Sequence, residues 1–473
     1  MILALTGEHY QASLSATNYP RVESIQFIGQ LLLPFFRVFG AKGYRYIICL
    51  LIFASYILVF FHRLCPAVIA LDMQEAFGVS GTLLGLLGSA YFYPYAVMQL
   101  PTGLLADSWG PRNTVSSFFL LAACGAVLMG LAPNVVMAIF GRILVGVGVS
   151  TVFVCNFKLL AEWFDPEQFI IMGGIFMVMG GVGALFASAP LGWVSNLIGW
   201  RMALVAVGLT TLIMAVLVYA FVRNRPSDLG LPSIGSVPSS GSDTKISLLE
   251  GVKLVAGSRR FWPICVYAFL SIGISFAVGG LWGGPYLIEV YGLSKTAAGG
   301  VLSMFAVALI VGSPLQTLIA NRIGRKPVLI GSNVLMIAVC TLFYSFTDRL
   351  ALPVLYVLFF CLFLASGATG PVVAAVSKEL FPVTIAGTSV GMMNLFPFLG
   401  GALFQVVVGA ILTMGGLGRS GYSLNGYQDM FLIYLLGAVI SLVAALFIRE
   451  TLCRGEPTGA GQAVSSLTNC SQA

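Results

Sequence analysis

The chain has 473 residues, 58% of them hydrophobic and only 9% charged, with a formal net charge of +7. An ordinary soluble domain carries roughly a quarter charged residues, so this chain cannot clothe itself in a water-compatible surface, and lipid must be its solvent for much of its length. The basic excess is scattered over short connections and not gathered on one face, which argues against a nucleic-acid partner.

The chain opens Met1-Ile-Leu-Ala-Leu-Thr-Gly-Glu8, with no basic n-region and too short an apolar stretch for a cleaved signal peptide, so targeting is expected to rest on the first membrane helix. A hydrocarbon core of about 30 Å asks for about 20 apolar residues of helix. Six such runs occupy 46–71, 82–106, 114–132, 135–160, 170–198 and 202–222, and six more occupy 261–288, 297–319, 328–346, 350–376, 385–414 and 430–448. An even number places both termini on one side. With the N-terminus inside, eighteen of the 24 Lys and Arg residues face the cytoplasm and four face outward, the distribution that membrane insertion favours. The expectation is a multi-pass protein of a bacterial inner membrane or plasma membrane, with both termini cytoplasmic.

The expected divisions are a cytoplasmic N-terminal segment 1–44, a six-helix bundle 45–222, a cytoplasmic linker 223–260, a second six-helix bundle 261–448 and a cytoplasmic tail 449–473. Within the first segment, 25–39 is apolar but interrupted by Pro34 and Arg37, and is expected to lie at the interface. The linker is dense in Pro, Ser and Gly over 226–242 and cannot form a packed core. After it, Ser247 and Glu250 stand at capping-box spacing, which predicts a short amphipathic helix on the inner surface.

Taken in chain order, the polar residues inside these runs are few. His62 and Arg63 interrupt the first run about 25 Å from its inner end; Arg63 either faces a cavity or reaches the outer headgroups. His62 is the one histidine in a membrane run, and an imidazole that titrates near neutral pH suits a proton switch as well as an interfacial role. Tyr91, Tyr93, Tyr95 and Gln99 alternate along the second run; Tyr95 and Gln99, one turn apart, are the pair expected to line a cavity, with packing inside the bundle as the alternative. Arg142 lies within the fourth run, where a guanidinium costs about 2.5–3.5 kcal/mol and therefore needs a cavity or a partner. Glu289, at the outer end of the seventh run, is the deepest carboxylate. Asn394 and Gln405 place amides in the eleventh, either for substrate or for a neighbouring helix.

Two loops recur half a chain apart. Gly103-Leu-Leu-Ala-Asp107-Ser-Trp-Gly110-Pro-Arg112 follows the second run, and Thr317-Leu-Ile-Ala-Asn321-Arg322-Ile-Gly324-Arg325-Lys326 follows the eighth; Glu162-Trp-Phe-Asp-Pro166 and Glu379-Leu-Phe-Pro382 form the second pair. A duplicated six-plus-six architecture is the usual scaffold for alternating access, with substrate held between the halves.

These loops resemble the signature of the major facilitator superfamily over about residues 46–448. That resemblance implies an all-α membrane protein with twelve transmembrane helices in two pseudo-symmetric six-helix bundles. It implies that Gly103, Asp107, Gly110 and Arg112, with Arg322, Gly324, Arg325 and Lys326, help latch the cytoplasmic side shut, with Ser108 in place of the usual basic residue. The Arg142-x-x-x-Gly146 element resembles one of the superfamily's own, and the pair at His62 and Arg63 resembles the anion:cation symporter branch, in which the helix 1 and helix 4 arginines face the central cavity. The stretch from Arg63 to Pro101 is similar to a subgroup that includes phagosomal amino-acid transporters. His62 stands where the symporter branch has aspartate, which leaves protons as a coupling ion carried by His62 or Glu289 if at all.

The expected function is secondary active transport of a small anionic or zwitterionic solute, an organic acid or amino acid, with Arg63, Arg142, Tyr95, Gln99 and Asn394 binding it. A transporter-like membrane sensor or scaffold without transport is the alternative. The expected partners are the solute, the lipid bilayer and candidate protons, with the chain a monomer. No enzyme constellation, cofactor motif or metal cluster is read: the nine cysteines are scattered singly without a CxxC pair, and no GxxxxGK[ST] loop occurs.

Overall fold

The computed structural model describes residues 22–230, 248–418 and 421–452. Among the described residues, ten stretches are long and apolar enough to cross a membrane. One of them, Pro166–Phe221, is two helices meeting at Gly199, whose φ of 80° ends the helical ladder. The segments Gly81–Ser89 and Phe92–Ser108, divided by a turn at Ala90 and Tyr91, make one further crossing. Twelve crossings result among the described residues, all of them helical, in two bundles of six.

In the first bundle α1 is Val22–Leu64 continuing as Pro66–Phe77, and α2 is the pair just given. Next come α3 (Pro111–Leu131), α4 (Val135–Ser150 and Val152–Trp163), α5 (Pro166–Phe186, resumed at Ala189 and ending at Gly199) and α6 (from there to Phe221). In the second, α7 is Trp262–Tyr291, α8 Lys295–Ile323, α9 Arg325–Ser345, α10 Leu352–Glu379, α11 Val383–Met414 and α12 Leu424–Phe447. Several helices outrun their apolar cores because polar caps start them: Ser80, Asn134, Asp165, Ser294 and Ser423 each accept a backbone N–H of the first turn. Thus α12 begins at Leu424, well before the apolar run at 430. Helix α1 likewise extends back to Val22 through the stretch expected at the interface, whose side chains lie outside the description.

A short helix, Leu248–Gly257, lies where an amphipathic one was expected, with Val255 buried and Leu249 and Leu254 exposed. Its expected cap Ser247, much of the linker and most of the tail fall outside the described residues.

The duplication reaches single residues. Helices α3 and α9 are both 21 residues long, and each starts at a glycine of positive φ, Gly110 (78°) and Gly324 (115°). The N–H of Arg112 donates to Asn224 Oδ1 at 2.9 Å, and those of Arg325 and Lys326 donate to Glu450 at 2.9 and 3.0 Å. Asn224 lies three residues past the end of α6, and Glu450 three past the end of α12. A Cβ on either glycine would sit 2.4 Å or 2.5 Å from that acceptor side chain, so glycine is needed for space as well as for φ.

Candidate functional site

Helix α1 is broken by its own sequence. Pro66 has no N–H and its ring excludes the carbonyl one turn back, that of His62, from the helical ladder. Helix α4 supplies the missing donor: Arg142 Nη1 bonds the His62 carbonyl at 2.6 Å and Nη2 the Arg63 carbonyl at 3.4 Å, with the guanidinium 4.7 Å over the Tyr91 ring. Arg142 is 1% exposed and does not line the central cavity. The expected cavity arginine of α4 is instead a brace for the kink, because freed carbonyls in an apolar interior take the nearest strong donor.

The brace fixes the backbone at Arg63, and Arg63 does face the cavity. This space, about 610 Å³, lies between the two bundles and is walled by α1, α2, α4 and α5 on one side and α7, α8, α10 and α11 on the other. The Arg63 guanidinium sits 4.5 Å from the ring centroid of Phe60, 5.0 Å from Tyr95, 5.3 Å from Phe276 and 5.0 Å from Phe398. Phe60 and Tyr95 belong to the first bundle, Phe276 and Phe398 to the second. Cation–π attraction from four faces holds the charge, each worth about 0.5–2 kcal/mol. None of the described residues lining the cavity is Asp or Glu.

Gln99 and Asn394 meet below this cage: Asn394 Nδ2 donates to Gln99 Oε1 at 3.1 Å, joining α2 to α11 across the seam, and Gln99 Nε2 turns back to the Tyr95 carbonyl at 3.4 Å. Of the five residues expected to bind substrate, Arg63, Tyr95, Gln99 and Asn394 converge on the cavity and Arg142 stands behind it. Gln405 is buried at the α7–α11 contact and bonds the Phe276 carbonyl. Both proton candidates lie off the cavity. His62 Nε2 is 2.9 Å from Thr211 Oγ1, which also lies 2.8 Å from the Val207 carbonyl oxygen. Glu289 accepts from the Tyr427 hydroxyl at 2.6 Å and the Tyr422 N–H at 3.0 Å, tying the short hairpin at Gly421–Tyr422 to α7.

The cavity opens toward the end where α6 stops and α7 starts, with Phe157, Lys378 and Gly387 near its mouth. At that end the signature residues pair inside their own bundle. Asp107 binds Lys158 at 2.6 Å, Arg112 Nε donates to the Tyr219 carbonyl, Arg325 binds Glu379 at 3.1 Å and Lys326 Nζ donates to the Leu446 carbonyl. Gly103 borders open space, and Arg322 sits in the last turn of α8. The expected latch across the bundles is thus not made by these pairs in a conformation open on their side. At the far end the seam is shut: Asp72 of α1 pairs with Lys295 of α8 at 2.5 Å, Thr82 meets Thr413, and Gly284 of α7 lies so close that a Cβ there would be 1.6 Å from the Ala67 carbonyl oxygen.

Of the four cage walls only Tyr95 was expected from the sequence; Phe60, Phe276 and Phe398 were not. Phe60 was within reach, being three residues before Arg63 on the same helical face. Phe276, Phe398 and the Asp72–Lys295 pair come from the opposite bundle, and no local signal marks them. The π-helical turns at Ala268–Ile272 and Val278–Trp282, which flank Phe276 and rotate α7, carry no sequence signature.

A sequence profile described as Major Facilitator Superfamily matches residues 48–404 and, overlapping, 284–470. The chain is 24% identical to a probable sulfoacetate transporter of Cupriavidus necator, covering 87% of this chain and 94% of that one. It is 23% identical to a probable galactarate/D-glucarate transporter of Bacillus subtilis (73% and 80%) and 22% identical to a hexuronate transporter of the same organism (87% and 96%). Among solved structures it is similar to a bacterial homolog of the human lysosomal transporter Spinster in an inward-facing, unoccupied conformation, with a TM-score of 0.71 and 19% identity over 89% of this chain and all of that one. A D-xylose–proton symporter gives a TM-score of 0.67 at 17% identity, over 86% and 99%.

Proposed function

Because the chain belongs to the Major Facilitator Superfamily, we propose that it is a secondary transporter that carries a small organic anion by alternating access, with the bundles 45–222 and 261–448 rocking about the cavity at Arg63. The observation that carries this reading is the Arg63 guanidinium: buried, facing a cavity between the bundles, held by four aromatic rings and by no carboxylate among the described residues. A buried charge without a counter-ion is costly, and a bound anion relieves that cost. Three relatives, named as carriers of sulfoacetate, galactarate or glucarate, and hexuronate, support an anionic solute. A lining without Asp or Glu favours an anion over a zwitterion, whose ammonium would find no carboxylate there.

The Lys and Arg distribution supports a cytoplasmic position for both termini in a bacterial inner membrane or plasma membrane, which makes the conformation inward-facing. His62 and Glu289, both off the cavity, would couple protons only through a change of conformation. The test is uptake or counterflow of labelled organic anions in proteoliposomes. Removing the charge that binds the anion costs about 2–5 kcal/mol, so Arg63→Ala should lose at least about 30-fold in uptake efficiency. Uptake unchanged in a folded Arg63→Ala protein would overturn the assignment.

A further inference from the structure

We infer that the solute is an anion with an apolar body, an aryl or alkyl carboxylate or sulfonate, and not a polyhydroxylated acid of the kind named for the galactarate/D-glucarate and hexuronate relatives; this rests on the reading of Arg63 as the anion site. Few hydrogen-bonding side chains line the cavity. Beyond Arg63, they are the amides of Gln99 and Asn394, which bond each other and, from Gln99, the Tyr95 carbonyl, and the hydroxyls of Tyr56 and Tyr95. Ser313 and Lys378 add one hydroxyl and one ammonium, and most of the other lining residues are apolar or glycine. An open-chain sugar acid carries a hydroxyl on nearly every inner carbon, and each hydroxyl taken from water without a partner weakens binding.

What surrounds the charge instead is ring surface. Phe276 and Phe398 stack at 5.4 Å with 17° between their planes, and Tyr95 approaches Phe398 at 4.3 Å. Arg63 lines the cavity among these rings, so the body of an anion whose head reaches the guanidinium would lie along the same ring surface. Such walls reward apolar area: about fourfold in affinity for each fully buried methylene. The Spinster-homolog and xylose-symporter likenesses show the fold alone and say nothing of this lining.

The experiment is equilibrium binding to the full-length wild-type protein in detergent and in nanodiscs. The probes are methanesulfonate, butanesulfonate, hexanesulfonate and benzenesulfonate, which stay ionised and do not leak as neutral acids, with glucarate and glucuronate beside them. Affinity should climb along the alkyl series by up to about fourfold per methylene, benzenesulfonate should exceed methanesulfonate by at least tenfold, and both sugar acids should bind more weakly than benzenesulfonate. Phe398→Ala should narrow the benzene-to-methane ratio. Tighter binding of glucarate or glucuronate than of benzenesulfonate, abolished by Arg63→Ala, would overturn the apolar-body inference and leave the anion transporter standing. Binding of any probe that is indifferent to Arg63→Ala would remove the anion site itself, and the inference with it.

Discussion

Neutralising the ion pair at the closed end should shift the protein toward its opposite conformation. Asp72 and Lys295 join α1 to α8 at 2.5 Å, with side chains 19% and 29% exposed. Exposed pairs are worth about 0.2–1 kcal/mol and breaking a fully buried one costs about 3–5 kcal/mol, so this half-buried bridge should contribute about 1–2 kcal/mol. It cannot survive opening of that end, which would part the two helices. Asp72→Asn therefore removes about 1–2 kcal/mol from one conformation only, raising the ratio of far-open to far-closed molecules by about 5- to 30-fold. Spin labels at Val136 and Leu424, at the far ends of α4 and α12 and both exposed, would report this by electron–electron distance measurement in a background without the native cysteines. The long-distance population should grow in Asp72→Asn and in Lys295→Gln, and the double reversal Asp72→Lys with Lys295→Asp should restore the wild-type distribution. Unchanged distances in both single variants, or a swap that fails to restore them, would refute the lock.

Gly284→Ala should displace the same equilibrium without involving charge, because its Cβ would fall 1.6 Å from the Ala67 carbonyl oxygen when the far end is closed; the distance change should persist at high salt, where that of a charge variant is screened. Arg142→Ala should act on stability before binding. It strips donors from the His62 and Arg63 carbonyls, each orphaned group costing about 1–3 kcal/mol, and should lower the unfolding temperature in detergent more than Arg63→Ala does, with partial rescue by Arg142→Lys. Glu450→Gln should loosen the start of α9. Partial burial opposes the Glu450 charge, but the N–H groups of Leu452, Arg325, Lys326 and Thr451 outweigh it and hold the carboxyl below its usual range. A depressed carboxyl stabilises above its unfolded pKa, about 4.3, and that contribution is lost as pH falls through the lower folded value. The wild type should therefore exceed Glu450→Gln by about 0.5–1 kcal/mol at pH 7, discounted for exposure, with the gap closing toward pH 3.

Much of the molecule was legible from one dimension because lipid imposes a one-dimensional rule. Each crossing must be a long apolar helix that satisfies its own backbone, so the twelve spans and the two echoing loops could be counted along the chain. A polar group in such a helix must face something other than lipid, and so Arg63, Tyr95, Gln99 and Asn394 could be named before their meeting place was known. Their convergence, and the departure of Arg142 from it, depended on three dimensions. Pro66 frees a carbonyl on α1, but only the packing of α4 against that kink turns a second cavity arginine into a brace. Phe276 and Phe398 are two phenylalanines among 34, and what sets them apart is that the opposite bundle carries them to within about 5 Å of a guanidinium. The open end is likewise a matter of partners: Asp107 and Arg325 each reach a charge within their own bundle while Asp72 reaches across to the other, and pairwise attraction at 3 Å leaves no trace in residue order.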